Sequence, residues 1–398
     1  MTAALPDHLD RTRRLVGLGL YLTAMLIGGG LLLVVFLVPP LFGNDPGDEY
    51  AGMLLGGLLA FPAAFAYLWV PWVVDRYDPE PLWLLATSFF WGVVASCGFA
   101  ATINTMAGFI GTEVGGTDVG GWVAACVSAP LVEEFLKGLG VFGLFYFLKR
   151  EFDGVVDGII YAAFIALGFA AMENVLYYGR AAAEGDEALG MTVVMRGLLT
   201  PWIHPLFTAM TGLGFGISRE THRRWLAWLA PLAGYCSAVV LHSTWNTAAT
   251  LSGMLTIIML PLWFFFVCGF AVMVLLLVRR KGQIIAKHLH DEVLIGFLSL
   301  PEYDLVTSAF SWWRATFSWG GRPGRQFVGA VSRLALSKWH STRSVESQTR
   351  TISGAFVAPL RQEIKRLRGE MSRSLGKPLP EPAPWRPTAS QPKPPWVR

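Results

Sequence analysis

The chain contains a series of apolar blocks, each long enough to cross a lipid bilayer. A membrane-spanning helix needs roughly 20 mostly apolar residues. We predict about eight such helices, at residues 15–38, 53–74, 83–110, 121–148, 156–178, 196–217, 226–249 and 254–278. A soluble domain cannot bury this composition, in which 53% of the residues are hydrophobic and only 15% are charged. The sequence therefore predicts an all-α membrane protein built as a transmembrane helix bundle.

Lysine and arginine residues are unevenly shared between the predicted loops. With the N-terminus inside, the inside segments carry twelve of them, and the outside segments carry only Arg180 and, at a boundary, Arg196. The positive-inside rule predicts this asymmetry. We therefore expect both termini to be cytoplasmic.

Net charge changes sign along the chain. Residues 1–278 carry a formal charge of −8, and residues 279–398 carry +12. A basic segment of this kind is typical of contact with anionic lipid on the cytoplasmic face. We expect four regions: a cytoplasmic N-terminus at 1–14, a transmembrane domain at 15–278, a basic amphipathic cytoplasmic tail at 279–376 and a Pro-rich disordered C-terminus at 377–398. The expected partners are the bilayer and its anionic lipid, with no nucleic acid.

Few ionisable residues lie within the predicted spans, where each costs about 2.5–3.5 kcal/mol at a helix centre. They are Glu133, Glu134 and Lys137 in the fourth span, Glu173 in the fifth, His204 in the sixth and His242 in the seventh. At about 1.5 Å per residue, the three glutamates and the two histidines all fall roughly 8–18 Å below the outer boundary. This shared depth predicts one polar site rather than unrelated packing residues.

The two adjacent glutamates cannot both stay ionised without a positive partner. Glu133 and Lys137 are four residues apart on one helix face, so we expect them to pair. Glu134 points about 100° away and is then the freer candidate for a general base. The alternative for this segment is a buried charge network that fixes helix packing.

Imidazole and carboxylate groups without a thiolate suit a zinc site with nitrogen and oxygen ligands. A spare glutamate beside a metal is what metal-assisted hydrolysis of a peptide bond needs. No HExxH motif is present, which excludes the arrangement of the soluble zincins. Asn174 adds a second polar group beside Glu173, and Asn246 lies four residues after His242 on the same helix face. Each histidine taken alone could equally be a packing residue.

Together these residues resemble the PrsW family of bacterial intramembrane metalloproteases, distant relatives of the CAAX prenyl endopeptidases. The run from Glu133 to Lys137 fits the motif EExxK, and Phe169, Glu173 and Asn174 fit FxxxEN. His204 and the run from His242 to Asn246 follow in the same order. The resemblance covers about residues 50–280.

The resemblance implies hydrolysis of a peptide bond in or near the membrane of a single-pass membrane protein, such as an anti-sigma factor, in regulated intramembrane proteolysis. It makes Glu133 and Glu134 the essential glutamate pair and His242 an essential histidine. CAAX endopeptidases have a histidine where this chain has Glu173, so His204 is the compensating ligand that we expect. The expected roles are as follows: Glu133, Glu134 and Lys137 catalytic; Glu173, His204 and His242 bound to zinc or another divalent metal; Asn174 and Asn246 supporting.

The alternative function is a non-catalytic membrane protein. It would be a transporter whose buried charges form an ion or proton path, or a scaffold that recruits partners through its basic tail. The sequence shows no convincing internal repeat, which weighs against the inverted-repeat plan of many transporters. The family resemblance favours the protease, an integral multi-pass protein of the bacterial cell membrane.

Overall fold

The computed structural model describes residues 7–42, 45–75, 77, 79–149, 151–346, 353–379 and 381–384. Within them the chain is helical and contains no strand. The described residues form two compact units. The larger unit consists of Asp7–Val73 and Glu80–Val274, and the smaller contains Val74–Pro79 and the chain from Leu275.

Twelve α-helices begin in the larger unit, and the last of them continues into the smaller unit. They are α1 Asp7–Leu37, α2 Pro46–Tyr67, α3 Trp69–Val74, α4 Leu82–Phe90, α5 Cys97–Gly115, α6 Thr117–Trp122, α7 Ala129–Phe147, α8 Val155–Glu184, α9 Asp186–Thr192, α10 Ile203–Glu220, α11 Arg224–Leu251 and α12 Gly253–Leu294. Three π-helical segments interrupt the series, at Trp91–Ser96, Val123–Ser128 and Val193–Leu199. Such widened turns are frequent at functional sites.

Seven of the described helical segments are long and apolar enough to cross a membrane. They are Leu15–Phe42, Pro46–Val74, Leu82–Gly115, Thr117–Phe147, Val155–Glu184, Arg224–Leu251 and Gly253–Leu294. The prediction of an all-α multi-pass membrane protein is thereby confirmed. The cytoplasmic placement of the termini stays a prediction.

The predicted span at 196–217 is not one of these seven helices. The helix stops after Leu199, and α10 begins only at Ile203, because Thr200, Pro201 and Trp202 interrupt it. The remaining helix α10 ends in the charged pair Arg219 and Glu220, so its apolar length is short. It packs between α8 and α11.

Helix α8 is the central helix of the larger unit, and 94% of its apolar stretch is buried. Glycine allows its neighbours to approach closely, which is how membrane helices without large side chains at a crossing gain packing contacts. A Cβ atom on Gly158 of α8 would lie 2.2 Å from the Gly212 carbonyl oxygen of α10. A Cβ atom on Gly92 would lie 1.9 Å from the Ile165 carbonyl oxygen of α8. These two close contacts hold α10 and the π-helical segment Trp91–Ser96 against α8.

The smaller unit adds four α-helices, α13 Leu300–Thr307, α14 Ser311–Ser318, α15 Arg322–Glu346 and α16 Val357–Leu375. It has its own apolar core, in which Leu305, Phe327 and Ile364 are fully buried. The tail predicted at 279–376 is therefore a folded helical unit and not only a set of amphipathic stretches. Of the Pro-rich segment predicted to be disordered at 377–398, residues 380 and 385–398 lie outside the described residues.

Candidate active site

Helix α7 carries the glutamate pair near its start, directly after the π-helical segment Val123–Ser128. Pro130 occupies the first turn, where its missing N–H costs no helical hydrogen bond. Glu133, Glu134 and Lys137 follow and are all buried, with Glu134 and Lys137 at 0% exposure. Three charges placed so deeply require partners from other helices.

Glu134 has both carboxylate oxygens engaged. Its Oε1 accepts a hydrogen bond from Lys137 Nζ at 2.8 Å and lies 3.0 Å from His242 Nδ1. Its Oε2 accepts a hydrogen bond from the Thr208 hydroxyl at 2.9 Å. Side chains from α7, α10 and α11 thus converge on Glu134.

Glu133 is the less restrained of the two glutamates. Its Oε1 accepts a hydrogen bond from Asn104 Nδ2 at 3.2 Å. Its Oε2 is buried and has no hydrogen-bond partner among the described residues. The same oxygen lies 3.6 Å from Lys137 Nζ and 3.9 Å from His242 Nε2.

The expectation that Glu134 would be the freer carboxylate is therefore wrong. Positions i+3 and i+4 are both neighbours on a helix, so spacing alone does not choose the partner of Lys137. Contacts from other helices decide it, since Lys137 Nζ lies 3.2 Å from His204 Nδ1 and 4.0 Å from the centre of the Phe169 ring. The ammonium group in this position is closer to Glu134 than to Glu133.

Glu173 on α8 is held by residues that follow it in the chain. Its Oε2 accepts a hydrogen bond from Arg196 at 2.7 Å and lies 2.9 Å from His204 Nε2. Arg196 also donates through Nε to the Asn174 side-chain oxygen at 2.7 Å, and its guanidinium stacks 3.7 Å from the Tyr177 ring centre. Glu173 and Asn174 are thus joined by one arginine.

The site also contains Arg196 and two neutral side chains, Asn104 and Thr208, which the sequence pattern does not predict. Arg196 lies at the boundary of a predicted span, although a lone arginine within an apolar stretch is a signal of a buried partner. Asn104 and Thr208 gave no such signal, because neutral polar side chains are common in membrane helices and bond across them.

His204 and His242 face each other across the site. His204 lies near the start of α10, directly after the break at Thr200–Trp202, and its ring centre is 5.2 Å from that of His242 on α11. His204 Nδ1 faces Lys137, and its Nε2 faces Glu173. His242 Nδ1 faces Glu134, and its Nε2 faces Glu133.

Asn246 lies on α11 away from these groups. Its Nδ2 donates to the Ala125 carbonyl oxygen at 2.8 Å, and the neighbouring Ser243 hydroxyl donates to the Cys126 carbonyl oxygen at the same distance. Both carbonyls belong to the π-helical segment Val123–Ser128. Asn246 thus attaches α11 to the segment that precedes the glutamate pair.

Glu133, His204 and His242 can hold a metal ion together. Each offers one ligand atom, and the three atoms lie within 4.8 Å of one another. Two imidazole nitrogens and one carboxylate oxygen form a donor set that suits a divalent transition metal. The buried Glu133 Oε2, which lacks a hydrogen-bond donor among the described residues, fits the same interpretation. Glu173, the carboxylate ligand expected from the sequence, is not in this group. Its Oε2 instead accepts a hydrogen bond from Arg196 and lies 2.9 Å from His204 Nε2.

A cavity of about 160 Å³ opens beside two of the site's carboxylates. We call it the α8 cavity. Glu133 and Glu173 line it, whereas Glu134 does not. Its other lining residues are Leu32, Phe36, Cys97, Ala100, Ala101, Asn104, Phe169, Met172, Leu176, Tyr177 and Arg180.

Comparison with known proteins gives the same family that the sequence motifs resemble. Residues 80–277 match the model of the PrsW family intramembrane metalloproteases. A "Protease PrsW" of Geobacillus kaustophilus is 32% identical over 164 residues, which cover 39% of this chain and 66% of that protein. The Bacillus subtilis protein of that name is 32% identical over 146 residues, 36% of this chain and 60% of its own length. The one from Oceanobacillus iheyensis is 28% identical over 215 residues, 52% of this chain and 88% of its own.

The chain thus spans a little under two thirds of the length of the first two of these relatives. No solved structure matches the chain. Helices α1, α2 and α3 and the folded tail lie outside the residues that the family model matches. The matched residues include every side chain of the site, from Glu133 to His242, and most of the membrane-spanning helices. The chain is an integral multi-pass membrane protein, and it belongs to the PrsW family of intramembrane metalloproteases.

Proposed function

We propose that this chain is a metal-dependent endopeptidase that hydrolyses a peptide bond of a membrane-protein substrate in or near the bilayer. One observation carries the proposal. Glu133, His204 and His242, from three helices, bring ligand atoms within 4.8 Å of one another beside a cavity, and the Glu133 oxygen there has no hydrogen-bond donor among the described residues.

We propose zinc as the metal and Glu133, His204 and His242 as its ligands. Zinc with nitrogen and oxygen ligands, when bound, polarises the scissile carbonyl and lowers the pKa of water toward ~7. The sequence predicts Glu173 as a ligand, but in this proposal it orients His204 and transfers protons.

Two carboxylates orient the histidines. Glu134 Oε1 beside His242 Nδ1 favours the tautomer with its proton on Nδ1, which leaves the Nε2 lone pair toward Glu133. Glu173 Oε2 beside His204 Nε2 favours a proton on Nε2, which leaves Nδ1 as the lone-pair atom. His242 thus has Nδ1 beside a carboxylate and Nε2 directed at Glu133, whereas His204 Nδ1 lies 3.2 Å from Lys137 Nζ, so the ammonium group must move away before this nitrogen can bind a metal.

Glu173 is also placed to move the protons of the reaction. It lines the α8 cavity, where water and the scissile bond would lie, and Arg196 fixes its carboxylate. Glu173 accepts a proton from the attacking water and then returns it to the nitrogen of the leaving amine. Glu134, which is fully buried and saturated by three partners, positions His242 instead. Lys137 compensates the charge of both glutamates.

The substrate we propose is a single-pass membrane protein, with an anti-sigma factor as the named candidate. It is supported by the motif resemblance and by an apolar cavity that reaches the carboxylates. The charge of +12 on residues 279–398 supports contact of the tail with anionic lipid of a bacterial cell membrane.

The experiment combines metal analysis with a search for cleaved membrane proteins. The full chain is purified as wild type, His242→Ala and the matched control His288→Ala, whose histidine lies on the part of α12 that belongs to the smaller unit. Wild type and His288→Ala should hold a transition metal, and His242→Ala should lose it. In host membranes, new protein N-termini should appear with the first two and be absent with the third. If the wild-type chain produces no new N-terminus, the proposed protease activity is wrong. If it cleaves without a bound transition metal, the proposed metal dependence is wrong.

A further inference from the structure

One of the residues that line the α8 cavity is an arginine that the proposed reaction does not use. Glu173, Leu176, Tyr177 and Arg180 all line the cavity from α8. Their spacing of three, four and seven residues places them on one face of the helix. Arg180 is exposed, and it forms no hydrogen bond or ion pair with another described residue.

Most of the residues that line the α8 cavity are apolar. They include Leu32 and Phe36 of α1, Ala100 and Ala101 of α5 and Met172 of α8. A volume of about 160 Å³ takes one apolar group of about the size of benzene. Helix α1 precedes the family-matched residues, so this wall of the cavity belongs to the chain's own N-terminal helix.

We propose that the α8 cavity binds one apolar side chain of the substrate beside the scissile bond, and that Arg180 binds an acidic substrate side chain farther along. This specificity rests on the proposed function. The occupant is an extended segment of the membrane-protein substrate. Guanidinium binds carboxylate through two parallel hydrogen bonds, so an aspartate or glutamate fits Arg180.

The spacing in the substrate follows from helix and strand geometry. Glu173 and Arg180 are seven residues apart on α8, which is about 10 Å at ~1.5 Å per residue. An extended peptide rises about 3.3 Å per residue. The acidic residue therefore lies about three residues from the scissile bond.

The first experiment reverses charge on both partners. Membrane-protein N-termini are sequenced from cells with wild type, Arg180→Glu, Arg180→Lys and the matched control Arg224→Glu, an exposed arginine at the start of α11. With wild type, acidic residues should be enriched about three positions from the cut. Arg180→Glu should reduce these cuts by about tenfold or more, because like charges then meet. Arg180→Lys keeps the charge but cannot form the two parallel hydrogen bonds, so its cutting should fall between that of wild type and that of Arg180→Glu. Arg224→Glu should stay within about threefold of wild type, and lysine at the substrate position should restore cutting by Arg180→Glu.

The outcomes separate this specificity from the protease itself. If wild type makes no new N-termini, both proposals fail. If wild type cuts but Arg180→Glu cuts the same bonds equally well, the protease stands and the role of Arg180 is overturned. An equal loss with Arg224→Glu overturns it too. Metal content and membrane amount of each variant should equal those of wild type.

A second variant tests the apolar part of the cavity. Ala101→Phe should fill it and shift cutting toward bonds with a smaller side chain in the neighbouring position. Ala107→Phe is the control on the same helix, since Ala107 is similarly half-buried but does not line the cavity. An unchanged set of cut sites with Ala101→Phe overturns the side-chain subsite.

Discussion

Glu134 Oε1 and His242 Nδ1 lie 3.0 Å apart although the two residues are 108 positions apart in the chain. The contact links α7 to α11 in the middle of the site and leaves His242 Nε2 directed at Glu133. Glu134 does not line the cavity, so it acts by positioning His242.

Glu134→Gln should weaken metal binding without emptying the site at high metal concentration. A carboxylate behind a metal-bound imidazole fixes its tautomer, and loss of such a partner typically costs 10–100-fold in affinity. We expect a decrease of about that size, measured by competition with a chelator of known affinity. Glu113→Gln, at an exposed glutamate on α5, is the control and should bind metal as wild type does. Equal affinities of wild type and Glu134→Gln would contradict the orienting role.

The sequence was sufficient to predict most of the membrane-spanning helices and the clustering of the ionisable residues in one site. Apolar length alone identifies a membrane span, because the bilayer requires it. Glu133, Glu173, His204 and His242 were expected at one depth, and the structure brings them together. That step needed only the rise of a helix and a consistent loop-charge pattern.

The internal arrangement of the site could not be predicted. Lys137 has two glutamates within reach on its own helix, and contacts with His204 and Phe169 on other helices set its position. Arg196 donates a hydrogen bond to Glu173 on another helix. Its side chain is long and flexible, so the sequence pattern does not show which carboxylate it contacts. Likewise the break before Ile203, which shortens one predicted span, depends on how Thr200–Trp202 are accommodated.

Gly158→Ala should destabilise the larger unit. The added Cβ would lie 2.2 Å from the Gly212 carbonyl oxygen, and helix α8 cannot move away because it is packed on all sides. Overpacking of this kind costs about 1–3 kcal/mol. Gly57→Ala on α2 meets nothing within 4 Å and should be neutral or slightly stabilising. Thermal unfolding of the detergent-solubilised full chain checks the pair, and equal midpoints would contradict the close crossing.

Arg196→Gln should lower turnover while leaving metal content nearly unchanged. Arg196 contacts Glu173, Asn174 and Tyr177, and its cationic guanidinium is not a metal ligand. Loss of its charge leaves the Glu173 carboxylate less well placed for proton transfer, a step that contributes about 10²–10⁴-fold in enzymes. We expect turnover to fall by roughly 10–100-fold on any substrate identified by N-terminal sequencing. Loss of the metal together with activity would instead make Arg196 a structural support of the ligands.

Lys137→Met should make the stability of the chain depend on metal. The lysine is the cation nearest to Glu133 and Glu134 among the described residues, at 3.6 and 2.8 Å. Without it two buried carboxylates lose their charge compensation, and breaking a buried pair typically costs about 3–5 kcal/mol. A divalent cation that binds only the folded chain restores stability by mass action. Unfolding midpoints with chelator and with added zinc should therefore differ much more in Lys137→Met than in wild type or in Lys137→Arg, which keeps the charge. Equal metal responses in all three proteins would show that Lys137 and the metal do not compensate the same carboxylates.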